Sequence, residues 1–195
     1  MSKNILGRIS RYLRLKRYAK SDDGAVAMEF AFIAIPFFYI VMAVLETSVV
    51  YFAETNLGTS VETASRQIRV GTFGAGLTGD EKKTLFIQNV CDNAVMVPDC
   101  ENNLKVDVQV ITTFADANSV SSIAACLSGA DPDDFSVTEG TGSALMLVRV
   151  CYDWQLITPF MSQVFSYPAG SGSRTLSSVQ AFRNEPFDAG GGGGA

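Results

Sequence analysis

The sequence predicts an α+β protein: a long N-terminal membrane-spanning helix, then a small domain with a three-stranded antiparallel sheet. The first observation is an apolar run at residues 30–45 that contains no charged residue. The second is a stripe of apolar residues at helical spacing that continues this run to residue 68. The third is a set of three later segments with the composition of strands. With 195 residues, the chain is long enough for one modest domain beyond the helix.

Charge divides the sequence near residue 24. Residues 1–24 carry seven basic and two acidic side chains, whereas the remainder carries eight basic and eighteen acidic ones. Because Lys and Arg are enriched on the cytoplasmic side of membrane helices, we expect a cytoplasmic basic leader and an exported acidic part. An acidic exported part with isolated bases is not typical of nucleic-acid binding.

A single helix is predicted over residues 25–70, and its first half is predicted to span the membrane. At about 1.5 Å per residue, this half exceeds the roughly 30 Å thickness of a hydrocarbon core. Beyond the membrane the helix carries one apolar stripe, formed by Val50, Ala53, Leu57, Val61, Ala64 and Ile68. Such a stripe indicates a buried face, which packs either in the core of its own domain or against sister subunits.

Residues 71–187 are predicted to form a periplasmic α+β domain. A helix is expected over residues 82–96, with Thr78 or Asp80 as its N-cap. Strands are expected at 104–114, where alternation places Val110 inward and Asp107 outward, at 143–154, which is the most apolar and therefore central, and at 173–183. Residues 119–127 are expected to form a short helical turn, and 156–165 a connection or short helix. The glycine-rich tail, 188–195, is expected to be flexible.

Four cysteines lie in the part that is predicted to be exported: Cys91, Cys100, Cys126 and Cys151. An even number in an oxidising compartment favours disulfides, and the spacings do not match those of structural zinc sites. Three pairings are possible. We favour Cys91 with Cys100, which closes a short local loop, and Cys126 with Cys151, which joins a loop to a predicted strand.

The sequence offers little for catalysis or metal binding. It contains no histidine, which removes the commonest general base and the commonest metal ligand. The acidic run at 131–134 lacks the spaced ligands and the glycine of a calcium loop, so we interpret it as a solvated loop. We therefore expect that the protein is not an enzyme and binds neither a metal ion nor a cofactor.

The junction between the basic leader and the apolar run has a distinctive pattern. Gly24 is followed by four small or apolar residues and then by Glu29 and Phe30. A carboxylate inside a membrane-length segment costs a few kcal/mol and usually marks function. The junction resembles the cleavage site of type IV pilin-like precursors, in which a membrane peptidase cuts after the glycine. Cleavage between Gly24 and Ala25 makes Glu29 the fifth residue of the mature chain.

Two blander interpretations explain less of this pattern. An ordinary secretion signal has a small-residue cleavage site after a short apolar core, and no such site follows residue 45. An uncleaved signal anchor accounts for the charge asymmetry and the apolar run, but not for Gly24 or Glu29.

The junction, the single N-terminal helix and the phrases at 151–159 and 182–187 together resemble TadE-like proteins. These are pseudopilins, or minor pilins, of the tight-adherence (Flp) pilus machinery of bacteria. The resemblance implies processing by a prepilin peptidase and a role in assembling or priming an adhesive pilus. It also implies partners among the other pseudopilins and the pilus assembly platform proteins. TadF-like pseudopilins share the junction, so both assignments stay open.

The resemblance implies a single-pass protein of the bacterial inner membrane, with a cytoplasmic N-terminus and a periplasmic C-terminal domain. Incorporation into a surface pilus is compatible with this location. The alternative function is that of an uncleaved single-pass membrane protein whose periplasmic domain binds a ligand or a partner.

Overall fold

The computed structural model describes residues 22–116, 126, 136–138, 140–158 and 161–187. The basic leader up to residue 21 and the glycine-rich tail lie outside the described residues. So do the acidic run at 131–134 and, apart from Cys126, the helical turn predicted at 119–127.

Helix α1, Asp22–Arg69, is the longest element and contains Pro36. It ends where Gly71 adopts a left-handed conformation with φ of +74°, which favours glycine because a Cβ is disfavoured there. The chain forms two compact units that divide between Leu45 and Glu46, within this helix. The second unit therefore contains the last part of α1 as well as the sheet. The sequence suggests a different boundary, at residue 70, between the long helix and the periplasmic domain. That boundary stays a prediction.

The N-terminal unit contains the membrane-length part of α1. Its large apolar side chains are exposed to solvent nearly without interruption from Val26 to Leu45. Exposure of so many apolar groups is unfavourable in water and favourable in lipid. By length and composition, α1 is the one helix among the described residues that is able to cross a membrane. This is consistent with single-pass anchoring.

The second unit contains a three-stranded antiparallel sheet with the order β1-β2-β3. The strands are β1, Leu104–Ile111, β2, Leu145–Gln155, and β3, Ser173–Arg183. The most apolar strand, β2, lies in the centre, as its near-continuous run of Leu, Met and Val predicts. The α+β class and the antiparallel sheet are thereby confirmed.

One face of the sheet packs on the C-terminal half of α1. The predicted stripe from Val50 to Ile68 is buried in a single core with alternate residues of β1 and β2. Burial of its Val, Leu and Ile side chains contributes about 1.5–3 kcal/mol each. Of the two alternatives left open for the stripe, the structure shows packing within its own domain.

Helix α2, Gly79–Cys91, begins three residues earlier and ends five residues earlier than the predicted 82–96. Thr78 is its N-cap and forms a capping box with Glu81. Hydrogen bonds donated by Thr78 hold the pKa of the Glu81 carboxyl below its usual value. The helix ends at Cys91 with Asp92 as its C-cap, and the chain then continues to the four-residue helix α3, Cys100–Asn103.

Strand β1 is shorter than predicted, and its alternation was read wrongly at two positions. Asp107 is buried, whereas Val110 is about half exposed. Asp107 lies directly opposite Arg149 of β2, which is only 1% exposed. Burial lowers the pKa of the Arg149 guanidinium, and the Asp107 carboxylate opposes this change. The pairing of these charges explains why an acidic residue is tolerated at a buried position.

The segment predicted at 156–165 contains one short helix, α4, Met161–Val164. It lies between β2 and β3, in a connection that runs from Leu156 to Gly172. Within that connection, Tyr167 hydrogen-bonds to the backbone of β3.

Candidate functional site

The residues of the predicted cleavage junction all lie on α1. Gly24, Ala25, Glu29 and Phe30 are exposed, and the helix already includes the two residues before Gly24. Ala25 and Glu29 are four residues apart, so they lie on one face of the helix with a rise of about 6 Å between them. The structure therefore places the junction residues within two accessible turns of one helix.

Glu29 is an acidic side chain in an otherwise apolar part of the helix. Its neighbours Val26, Met28, Phe30 and Phe32 are large, apolar and exposed. In lipid, an isolated carboxylate is unfavourable unless a cation or a hydrogen-bond donor accompanies it. Cleavage after Gly24 would create an α-amino group on Ala25, which would be a cation of the required kind one helical turn away. The arrangement can thus form a pair between an ammonium and a carboxylate, within one helix or between neighbouring helices.

A second carboxylate, that of Glu46, connects α1 to the β2–β3 connection. Its Oε1 accepts a hydrogen bond from the backbone N–H of Ile157 at 2.5 Å. The N–H of Thr158 donates to both carboxylate oxygens, at 3.3 and 3.2 Å. Glu46 is the first charged residue after the uncharged run at 30–45. It therefore fixes the connection to α1 at the end of the membrane-length run.

Two disulfides stabilise the second unit. Cys91 at the end of α2 is bonded to Cys100 in α3, and Cys126 is bonded to Cys151 in the central strand. These are the two pairs that we favour from the sequence. The Cα atoms are 5.7 and 6.0 Å apart, within the usual range for disulfides. No free cysteine is found.

Strand β3 is an edge of the sheet, and its hydrogen bonds show which of its residues face outward. Successive residues of a strand direct their backbone N–H and C=O groups to opposite sides. Tyr167 N donates to Ser173 O, and Thr175 N donates to Tyr167 O. The backbone N–H and C=O groups of the odd-numbered residues of β3 therefore point away from β2.

Part of this outer edge has no strand beside it. Glu185 N donates to the carbonyl of Arg69 and so closes the far end of the edge. Between Thr175 and Glu185, the backbone groups of Ser177, Val179 and Ala181 face outward, and no strand among the described residues pairs with them. An unpaired edge of this kind is able to bind an extended segment by strand addition.

A groove of about 770 Å³ runs beside this edge, between β3 and the last three turns of α1. Its lining combines hydroxyl, charged and apolar side chains. Ser65, which lines it, is only 4% exposed, and its Oγ has no hydrogen-bond partner among the described residues. The groove therefore offers a buried hydroxyl and charged groups beside open backbone hydrogen-bonding positions. Its lining residues are Thr59, Glu62, Thr63, Ser65, Arg66, Arg69, Val70, Gln180, Ala181, Phe182 and Glu185.

The described residues do not include a group of three or more side chains that is able to hold a metal ion. The acidic run at 131–134 lies outside them. Because the chain has no histidine, hydroxyl groups such as that of Ser65 lack the usual base that activates a nucleophile. That the protein is not an enzyme stays a prediction.

Neither Glu46 nor the open edge of β3 is predicted as a functional feature from the sequence. One sequence feature could have drawn attention to Glu46: it is the first charged residue after the uncharged run at 30–45. Its partners at 157 and 158 are backbone groups far along the chain, and no sequence pattern indicates them. The open edge depends on which strand lies outermost and on what covers it, and both are tertiary properties.

Comparison with known proteins bears on the N-terminal third of the chain. The family model of TadE-like proteins matches residues 24–66. The match begins at Gly24, includes Glu29 and covers most of α1, so the predicted resemblance is confirmed for this segment. The sheet and the phrases at 151–159 and 182–187 lie outside it. No curated protein and no solved structure matches the chain.

Proposed function

We propose that this protein is a pseudopilin, or minor pilin, which a prepilin peptidase cuts between Gly24 and Ala25 and which acts in assembling or priming a Flp/Tad pilus. The similarity of residues 24–66 to TadE-like proteins suggests a pilus-associated protein. The observation that carries the finer proposal is the start of this similarity at Gly24, followed by a membrane-length helix with one acidic residue at its threshold.

The junction residues have distinct physical roles in this proposal. Gly24 lacks a Cβ, so its backbone is able to approach the peptidase closely. Cleavage creates an α-amino group on Ala25, and this cation pairs with Glu29 of its own or a neighbouring helix. A charge pair in lipid contributes little net stability but penalises misaligned neighbours, because misalignment leaves a charge unpaired. Glu29 therefore sets the register of helices in the assembly.

The proposed location is the bacterial inner membrane, with the leader in the cytoplasm and the sheet domain in the periplasm. The charge asymmetry about residue 24 supports this orientation. The proposed partners are the peptidase, other pseudopilins of the TadF-like kind and the assembly platform proteins. Two disulfides in the second unit are compatible with an oxidising compartment.

Substitution of Gly24 by valine tests processing. We expect Gly24→Val to remain uncut because its β-branched side chain obstructs access to the scissile bond. In cells with the peptidase, the wild-type protein should run about 24 residues smaller than the variant, as cleavage after Gly24 implies. Gly79→Val is the matched control, since a Cβ at Gly79 meets no atom within 4 Å, and it should be cut normally.

The alternative function, an uncleaved single-pass protein with a binding domain in the periplasm, gives a different result. In that case the wild-type protein has the same size with and without the peptidase, and Gly24→Val does not change it. The groove beside β3 is then the first surface to examine for a ligand or partner.

A further inference from the structure

The connection between β2 and β3 belongs to the longest uncharged stretch of the sequence, residues 154–173. This is unusual here because the chain beyond residue 24 is strongly acidic. A surface connection in an acidic domain ordinarily carries charged side chains. The absence of charged side chains over this stretch therefore indicates that the connection contacts something other than bulk water.

The hydrogen bonds of Glu46 show where this connection lies. Its carboxylate accepts from the N–H groups of Ile157 and Thr158, so the connection lies beside the first charged residue after the apolar run. Residues 26–45 form about 20 helical residues, or about 30 Å of helix, which matches the thickness of a hydrocarbon core. If these residues span the bilayer, Glu46 lies where the helix leaves it.

Four of the described side chains of the connection are apolar or aromatic and exposed, whereas Met161 is buried and Leu156 packs partly against the core. Ile157 is 83% exposed and Val164 62% exposed, and the aromatic rings of Phe165 and Tyr167 are also exposed. Ile157 and Val164 are exposed enough that a polar side chain at either position would cost the core little. Aromatic and apolar side chains are enriched at the interface between a bilayer and water, where rings lie at the level of the headgroups.

We propose that the membrane-side loop, residues 156–158 and 161–172, is a lipid-binding surface that rests in the periplasmic headgroup region beside α1. The occupant is the phospholipid of the bilayer in which α1 is inserted. Charge supports this choice: an acidic domain is repelled by anionic lipid, and its longest uncharged stretch is held at the end of the membrane-length run. The inference rests on the proposed insertion of α1 and goes beyond pilus assembly by giving the domain a second contact with the membrane.

A second exposed valine provides a matched control at a different height. Val95 is 80% exposed, and its neighbour Met96 donates its N–H to the side chain of Asn56. Asn56 lies ten residues beyond Glu46 in α1, about 15 Å further along the helix. Val95 is therefore about as exposed as Ile157 but lies further from the membrane-length run along α1, and we expect its side chain to be in water.

Photocrosslinking of the full chain in vesicles tests the proposal. A benzoylphenylalanine is introduced singly for Phe38, Ile157, Val164 or Val95, and each variant is reconstituted in vesicles of phosphatidylethanolamine and phosphatidylglycerol. Lipid adducts are then counted by mass spectrometry. Oxidation of all four cysteines serves as the check that each variant is folded. We expect lipid adducts at Phe38, and adducts at Ile157 and Val164 that are several-fold more abundant than at Val95.

Each other outcome overturns the proposal in a distinguishable way. If adducts form at Phe38 but are no more abundant at Ile157 and Val164 than at Val95, α1 is inserted in the bilayer and the lipid-binding surface is excluded. Crosslinks from Ile157 to protein in place of lipid identify a protein-binding surface instead. Absence of adducts at Phe38 overturns both the insertion of α1 and the lipid contact, whatever the fate of the cleavage at Gly24.

Discussion

Glu46 connects the start of the second unit to the β2–β3 connection. It hydrogen-bonds to backbone groups 111 and 112 residues away, and it follows directly on the uncharged run. A carboxylate that accepts several N–H groups at one loop holds that loop in a single position, because hydrogen bonds to ionised groups are stronger than neutral ones. Glu46 therefore determines where the membrane-side loop lies relative to α1 within the second unit.

Substitution of Glu46 by alanine should release this loop. We expect amide exchange at Ile157 and Thr158 to become about tenfold faster, because a hydrogen bond to a charged group contributes about 1.5 kcal/mol. Hydrogen exchange followed by mass spectrometry of the detergent-solubilised protein measures it. Glu54→Ala is the control, since Glu54 is on the same helix and has no hydrogen bond among the described residues. Equal protection of the loop in both variants would contradict this role.

At the scale of single residues, contiguous patterns were predictable and distant contacts were not. Gly24, Ala25, Glu29 and Phe30 form one short motif, and the similarity to TadE-like proteins at residues 24–66 includes it; cleavage at this motif stays a prediction. The partners of Glu46 are backbone atoms, which carry no sequence signature.

At the scale of elements, the sheet and the capping of α2 follow from local sequence. Strand β3 was predicted with the observed bounds, and Thr78 was expected as one of two N-cap candidates because hydroxyl side chains accept hydrogen bonds from the first turn. Asp107 was predicted on the exposed face because alternation in β1 assigns it there. Its burial depends on Arg149 in the neighbouring strand, and a strand pattern read alone does not contain that partner.

The two disulfides should contribute unequally to stability. If they act mainly by restricting the unfolded chain, the cost of removal rises with the length of the closed loop. Sequence separations of 9 and 25 then correspond to about 2.6 and about 3.5 kcal/mol. We expect the double variant Cys126→Ala/Cys151→Ala to be less stable than Cys91→Ala/Cys100→Ala.

Denaturant unfolding followed by the fluorescence of Trp154, the only tryptophan, measures both variants. The two double variants are controls for one another, because each removes one bridge and leaves the other. Reversal of the order would show that the loop-length argument does not apply to this domain.

At the scale of the whole molecule, the division between Leu45 and Glu46 separates two tasks. The core of the second unit begins at Val50, so the domain does not use Glu29 for its folding. The apolar segment, in turn, exposes its side chains and requires lipid or neighbouring helices around it. We therefore expect that a substitution in the apolar segment can impair assembly without lowering the stability of the second unit.

Glu29→Ala should separate these tasks. We expect the variant to be made, inserted, cut and folded as stably as the wild type, because the peptidase reads chiefly the glycine and the core is distant in sequence. Surface piliation and adherence should be lost, since the ammonium of Ala25 has no partner. Pilus counts and adherence assays in a strain with the wild-type copy deleted measure this loss. The control is Glu101→Ala, which removes an exposed acid of the sheet domain and should retain normal piliation. If Glu29→Ala also retained normal piliation, the role assigned to Glu29 would be overturned.

The central claim, that the chain is a processed pseudopilin, is tested most directly by the N-terminal residue of the mature protein. The measurement is mass-spectrometric sequencing of the protein purified from native membranes of a strain that contains the peptidase. The account predicts that the first residue is Ala25 and that residues 1–24 are absent, with the full-length chain recovered when the peptidase is deleted. Recovery of the intact leader in both strains would contradict it.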